Sequence, residues 1–177
     1  MNSVGQDSAF SSLASLVLTP SAALDDVQEG VVISDPHRAD NPIVYVNPSF
    51  LAMTGYMRDE ILGKNCRFLQ GADTDKASVA KIRTALQESA PVTVELLNYR
   101  KDGSPFWNHL TVSPVKDASG AVCNFIAIQR DVTAYRRLRD ELAEKKSSEE
   151  ALRQSVALLK QRIREQEDAI ASFIMQS

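Results

Sequence analysis

Cysteine is scarce in this 177-residue chain. The two thiols, Cys66 and Cys123, stand in unrelated surroundings and do not read as a disulfide framework. Cys66 has no second Cys or His at metal-ligand spacing, which sets a zinc site aside. Histidine is equally scarce. His37 and His109 lack a neighbouring carboxylate or serine arranged for acid–base work and read as structural. Charge of one sign is lacking too: the net charge is −3. That leaves no electrostatic footprint for nucleic acid, and none is expected as a partner. No apolar run approaches the roughly 20 residues of a membrane span, so no membrane partner is expected either. The N-terminus has neither the basic region nor the apolar stretch of a signal peptide. These absences point to a reducing, cytoplasmic setting. There is no internal repeat, and the length suits one domain with extensions.

The pattern divides the chain into 1–27, 28–131 and 132–177. In the first part Ala9, Phe10, Leu13, Leu16 and Val17 fall at helical spacing, so a helical cap is expected from Ser8 to Leu18, with one more turn from Ala22 to Val27. In the second part Val31–Ser34 and Ile43–Asn47 read as strands. Pro48 suits the first turn of a helical region. Several short helices follow to Gln87, the best from Asp75 to Glu88, with Asp75 as N-cap and Val79, Ile82 and Leu86 on one side. Strands are then expected at Val92–Tyr99, Phe106–Val115 and Val122–Asp131, separated by turn signals at Asp102-Gly103 and Asp117–Gly120. This order makes a five-stranded antiparallel α+β domain. The last strand is apolar at its centre on both faces, with Val122, Ile126 and Ile128 opposite Phe125 and Ala127. Its outer face therefore needs cover from a helix or a second subunit.

The third part differs in kind. Tyr135, Leu138, Leu142, Leu152, Val156, Leu159, Ile163, Ile170 and Phe173 keep one heptad register, broken by Lys145, Glu149 and Gln166. From residue 131 onward there are nine Lys plus Arg, nine Asp plus Glu, and no Gly or Pro. A C-terminal coiled coil pairing two copies of the chain is expected. Ser147 with Glu150 forms a capping-box pattern, so 145–149 is a candidate break between two helices.

The chemistry concentrates in Gly63-Lys64-Asn65-Cys66-Arg67-Phe68-Leu69-Gln70. It sets a thiol, a guanidinium and two amides side by side. A lone Cys is most often a buried small hydrophobe. Here its polar neighbours point instead to a reactive thiol beside an anionic, amide-rich ligand. Three further amides, Asn98, Asn108 and Gln129, each fall among apolar residues on one face of a predicted strand. Buried amides need partners, and three on adjacent strands favour a ligand over backbone or water.

The octapeptide resembles the signature of LOV (light-oxygen-voltage) domains, a flavin-binding branch of the PAS fold. The resemblance runs from about Gln28 to Thr133. It implies a PAS/LOV fold with FMN as cofactor. It places Asn65 and Gln70 by the ribityl chain and ring, and Asn98 and Asn108 on the pyrimidine edge. Gln129 then faces the reactive part of the ring, and Arg67 and Arg83 pair with the phosphate. It lines the slot with Ser34, Phe50, Leu96, Leu110 and Phe125, among others including Asn41, Leu62 and Val94. Cys123, on the same inward face, reads as a core thiol.

The resemblance also implies a mechanism. Blue light excites the flavin, and Cys66 bonds to ring carbon C4a. Nitrogen N5 takes up a proton, Gln129 reorients, and the last strand passes the change to a coiled-coil homodimer. The bond then breaks in the dark. This is sensing rather than enzymatic turnover, and the downstream signalling protein is unknown. Two other readings stay open: the sensor piece of a longer LOV histidine kinase, and a redox- or ligand-sensing PAS module.

Overall fold

The computed structural model describes residues 23–175. The helix expected at 8–18 lies outside the described residues. Residues 23–25 form a helical turn where one more turn is expected.

Two strands come first, β1 (Gly30–Ser34) and β2 (Ile43–Val46). The short helices are α1 (Pro48–Thr54), α2 (Arg58–Ile61), a 3₁₀ turn (Cys66–Leu69) and α3 (Lys76–Gln87). Then come β3 (Val92–Tyr99), β4 (Pro105–Lys116), β5 (Val122–Asp131) and the long helix α4 (Thr133–Met175). The strands form one antiparallel sheet in the order β2-β1-β5-β4-β3. The described residues fall into two compact units that part after Thr133.

β2 stops one residue short of the expected strand because Asn47 serves as a helix cap. Its Oδ1 accepts from Phe50 N at 3.0 Å and from Val31 N at 2.8 Å. Its Nδ2 donates to the carbonyls of Leu24, Val27 and Glu29. One buried amide thus starts α1, positions the start of β1 and holds the segment before it. Pro48 at the first helical position gives up no needed N–H. Asp75 caps α3 through Ala77 N and Ser78 N.

The inner sheet face and the short helices enclose the core, in which Val32, Ile43, Val46, Phe50 and Ile61 are essentially inaccessible. On the outer face Ile126 is half-buried and Ile128 is 44% exposed. His109 corrects the sequence reading: its Nδ1 lies 3.5 Å from Glu95 Oε1, directly across the β3–β4 pair. The two residues lie far apart in sequence, and only strand register brings them together. Cys123 is half-buried rather than core, and its thiol donates to Val115 O.

Beyond the 3₁₀ turn the chain passes under Tyr99. A Cβ at Gly71 would lie 2.3 Å from the Tyr99 ring, so only glycine fits there. Tyr99 donates to Asp73 Oδ2, and the buried Thr74 hydroxyl donates to Leu97 O. These bonds fasten the loop between the 3₁₀ turn and α3 to β3.

Helix α4 runs unbroken through 145–149, so the break suggested by Ser147 and Glu150 does not form. Lys145, Lys146, Glu149 and Glu150 are strong helix formers. The Glu149–Arg153 pair, at 2.7 Å, adds an i,i+4 contact across that stretch. Among the described residues no helix is long and apolar enough to cross a membrane. None of their His, Cys, Asp and Glu side chains group in a way that would hold a metal ion.

Candidate functional site

Strand register creates the polar wall of the site. β3 pairs with β4 so that Leu96 faces Asn108, and β4 pairs with β5 so that Leu110 faces Gln129. Side chains alternate along a strand, so Asn98, Asn108 and Gln129 all enter one interior. Their exposures are 3%, 0% and 2%. Asn108 Nδ2 donates to Asn98 Oδ1 at 2.9 Å and to Gln129 Oε1 at 2.7 Å. Asn98 Nδ2 donates to the backbone carbonyl of Leu97.

The 3₁₀ turn supplies the thiol. Asn65 caps the turn by accepting from Arg67 N at 3.0 Å. Its Nδ2 donates to the carbonyl of Asp40 at 2.5 Å, which ties the turn to the loop between β1 and β2. Cys66, first in the turn, lines the same cavity as the three amides. Burial pushes its thiol up to about 12, so it stays protonated at neutral pH.

The cavity encloses about 110 Å³. One water needs only roughly 10–15 Å³, so this is room for a ligand rather than a packing defect. The apolar sides come from Val32, Leu96, Leu110, Val112, Phe125 and Ala127. Ser34, Asn41, Asn65, Arg67 and Gln70 also reach the wall. Ile82 and Leu86 of α3 complete it. The sequence shows these two only as a helix face, since their spacing signals burial without saying against what.

Some expected residues stand elsewhere. Phe50 is fully buried in the core and does not line the cavity. Leu62 and Val94 are likewise absent from the wall. Arg83 is exposed on α3 and does not line it. Arg67 does reach the wall, and its Nη1 lies 2.6 Å from both carboxylate oxygens of Asp40.

Two buried acceptors have no partner among the described residues: Asn108 Oδ1 in the amide wall and Asn41 Oδ1. An unpaired buried acceptor costs about 1–3 kcal/mol. The wall therefore calls for a group that donates hydrogen bonds to these acceptors.

The model of the PAS domain matches residues 28–134. The chain belongs to the PAS family. Within it, the comparisons place the chain among the LOV domains. Phototropin-2 of Oryza sativa subsp. japonica is 52% identical over 113 residues, which is 64% of this chain and 12% of that protein. A blue-light-activated histidine kinase of Brucella ovis is 46% identical over 112 residues, 63% of this chain and 23% of the kinase. The chain thus matches only a small part of the length of these curated relatives. Among solved structures, the light state of the blue-light photoreceptor Aureochrome1 LOV is 44% identical with a TM-score of 0.60. That match covers 69% of this chain and 96% of the other. An RNA-binding light-oxygen-voltage receptor is 36% identical with a TM-score of 0.67, covering 84% of this chain and 40% of the other.

Proposed function

We propose that the chain is a blue-light photoreceptor whose cavity holds a flavin, with FMN as the form that Arg67 at the mouth can serve. The observation that carries this reading is the placement of Cys66 on the same cavity as Asn98, Asn108 and Gln129. The unpartnered Asn108 Oδ1 supports it, because a ring N–H would supply the missing donor. Leu96, Leu110 and Phe125 suit the ring body. Ser34, Asn65 and Gln70 offer polar contacts to the sugar-alcohol chain, and Arg67 offers charge to a phosphate. Phe50 supports the wall from the core.

When bound, the flavin supplies blue-light absorption and, once excited, a ring carbon able to take up a thiol sulfur. Cys66 gives that sulfur together with its proton. Because burial keeps the thiol neutral, the proton remains in place until the reaction moves it. A redox-sensing cysteine needs a ready thiolate, and this thiol is shifted the opposite way. With a flavin bound, the proton that Cys66 gives up would leave the ring edge facing Gln129 with a donor in place of an acceptor. Gln129 answers by turning its amide so that the oxygen faces that donor. Turning it removes the acceptor that Asn108 Nδ2 now uses. The change therefore cannot stop at Gln129.

Gln129 lies four residues before Thr133, where α4 begins. Between them Val132 N donates to Trp107 O, and Thr133 Oγ1 accepts from Trp107 N. A shift of β5 is passed on through these bonds. The exposed heptad side chains of α4 are the surface for a homodimer, whose rearrangement reaches a downstream signalling protein. The chemistry is reversible and stoichiometric, which is sensing rather than turnover. It needs a free thiol, as a reducing cytoplasm provides. The partial match to the Brucella kinase favours a second reading, in which the same sensor serves a longer histidine kinase.

Absorbance spectroscopy tests the proposal. The expected result is a flavin band that bleaches in blue light and recovers in the dark. A band that does not respond to blue light defeats it.

A further inference from the structure

The mouth of the cavity carries an acid where a phosphate-binding site calls for bases. Asp40 sets both carboxylate oxygens 2.6 Å from Arg67 Nη1. The backbone that carries this carboxylate is held in place. Asp40 and Asn41 hold left-handed backbone angles, φ 69° and 48°, which Asp and Asn tolerate better than most residues. Asn65 Nδ2 donates to the carbonyl of Asp40 at 2.5 Å and to that of Asn41 at 3.4 Å. One loop therefore reaches the site twice. Asp40 stands on Arg67 at the rim, while Asn41 lines the cavity with its unpartnered Oδ1.

The electrostatic consequence is specific. A phosphate approaching Arg67 meets a neutral pair rather than a bare cation. It must share the guanidinium with Asp40 or displace it, and two anions on one guanidinium repel. A flavin without a phosphate makes no such demand. We infer that Asp40 sets the selectivity of the site between phosphorylated and unphosphorylated flavins, acting as a built-in anion that competes for Arg67. The inference rests on the flavin reading above. It adds a residue that opposes the phosphate and so restrains the preference Arg67 creates.

The test is reconstitution of the full chain with FMN and, separately, with riboflavin. Flavin fluorescence gives each dissociation constant for the parent, Asp40→Asn, Asp40→Ala and Arg67→Ala. Asn removes the charge and tolerates the left-handed backbone, so Asp40→Asn isolates the electrostatic effect. Its expected outcome is FMN binding tightened about two- to fivefold, the scale of exposed charges, with riboflavin binding unchanged. Asp40→Ala should shift FMN in the same direction, and Arg67→Ala should erase the preference for FMN. Equal shifts for both flavins in Asp40→Asn, or weaker FMN binding, overturn the inference and leave the flavin site standing. A parent chain that binds neither flavin overturns the flavin reading, and the inference falls with it.

Discussion

The sheet-and-helix core and the helix α4 are completed by different things. In the core, Val46, Phe50, Ile61 and Phe106 are wholly inaccessible, and the polar atoms left unpaired lie in or beside a cavity. In α4 the large apolar side chains are outside: Leu138 is 69% exposed and Ile163 is 53% exposed. A core with unpaired acceptors around a pocket asks for a small molecule. A helix with a bare apolar seam asks for another helix. The two requirements are separable, so chemistry and assembly should fail independently.

Cys66→Ala is the sharpest way to separate them. Reversible bleaching should vanish entirely while flavin stays bound, because the thiol supplies the bond and the amide wall supplies affinity. The dimer should survive, as measured by light scattering. A variant that still bleaches and recovers normally removes Cys66 from the mechanism.

Truncation after Val132 is the converse. It deletes the seam and leaves every proposed flavin contact, so bleaching should persist and dimerisation should fall. An equally tight dimer without α4 would move the interface elsewhere, with the exposed Ile128 of the outer sheet face as the first place to look.

Asn47→Ala should weaken the core alone. Its five hydrogen bonds include two buried backbone donors, and their loss should cost about 3 kcal/mol in urea denaturation. A change below about 1 kcal/mol would mean water replaces the amide.

Gln129→Leu should cut the link between the two regions. Leucine cannot exchange donor for acceptor. Bleaching should remain, while the light-dependent change in hydrogen exchange along α4 should shrink. An undiminished response would place the relay in another residue.

The smallest expected effect is one of pH. A thiol raised to about 12 stays protonated from about pH 6 to about pH 9. The amplitude of bleaching should be flat across that range. The shift also bears on stability. The unfolded chain releases this proton near an ordinary thiol pKa, while the folded chain keeps it. The Cys66 contribution to stability should therefore decline as pH rises from about 9 toward about 12. A bleaching amplitude that titrates near pH 8.5 would mean an ordinary, accessible thiol.

Much of the core was legible because its signals are local. The two-residue period of β3, β4 and β5 put Asn98, Asn108 and Gln129 on one wall, and Asp75 marked the start of α3. What escaped depends on contacts distant in sequence. Ile82 and Leu86 show helical spacing, but only the packing of α3 shows that they face a ligand cavity. Phe50 fits a slot as well as it fits a core, and the fold gave it to the core. Asp40 carries no signal of its own, and its meaning comes from standing on Arg67. The uninterrupted α4 had a local competitor in the Ser147–Glu150 pattern. A capping box takes effect only where the helix has reason to stop, and this stretch has no Gly or Pro to stop it.

The contact between Gly71 and Tyr99 also constrains how this sequence can change. A side chain at position 71 meets the ring at 2.3 Å, so a substitution there forces Tyr99 to shift. The order of changes then matters. Tyr99 must first become smaller, surrendering its bond to Asp73 and loosening the loop. Only in that weakened background does position 71 open to alanine or serine. Reversion must retrace that order, glycine returning at 71 before the ring returns at 99. The pair therefore fixes the order in which these two positions can drift. A library randomised at both positions should return either Gly with Tyr, or a small residue at 99 with a tolerant position 71, and few combinations between.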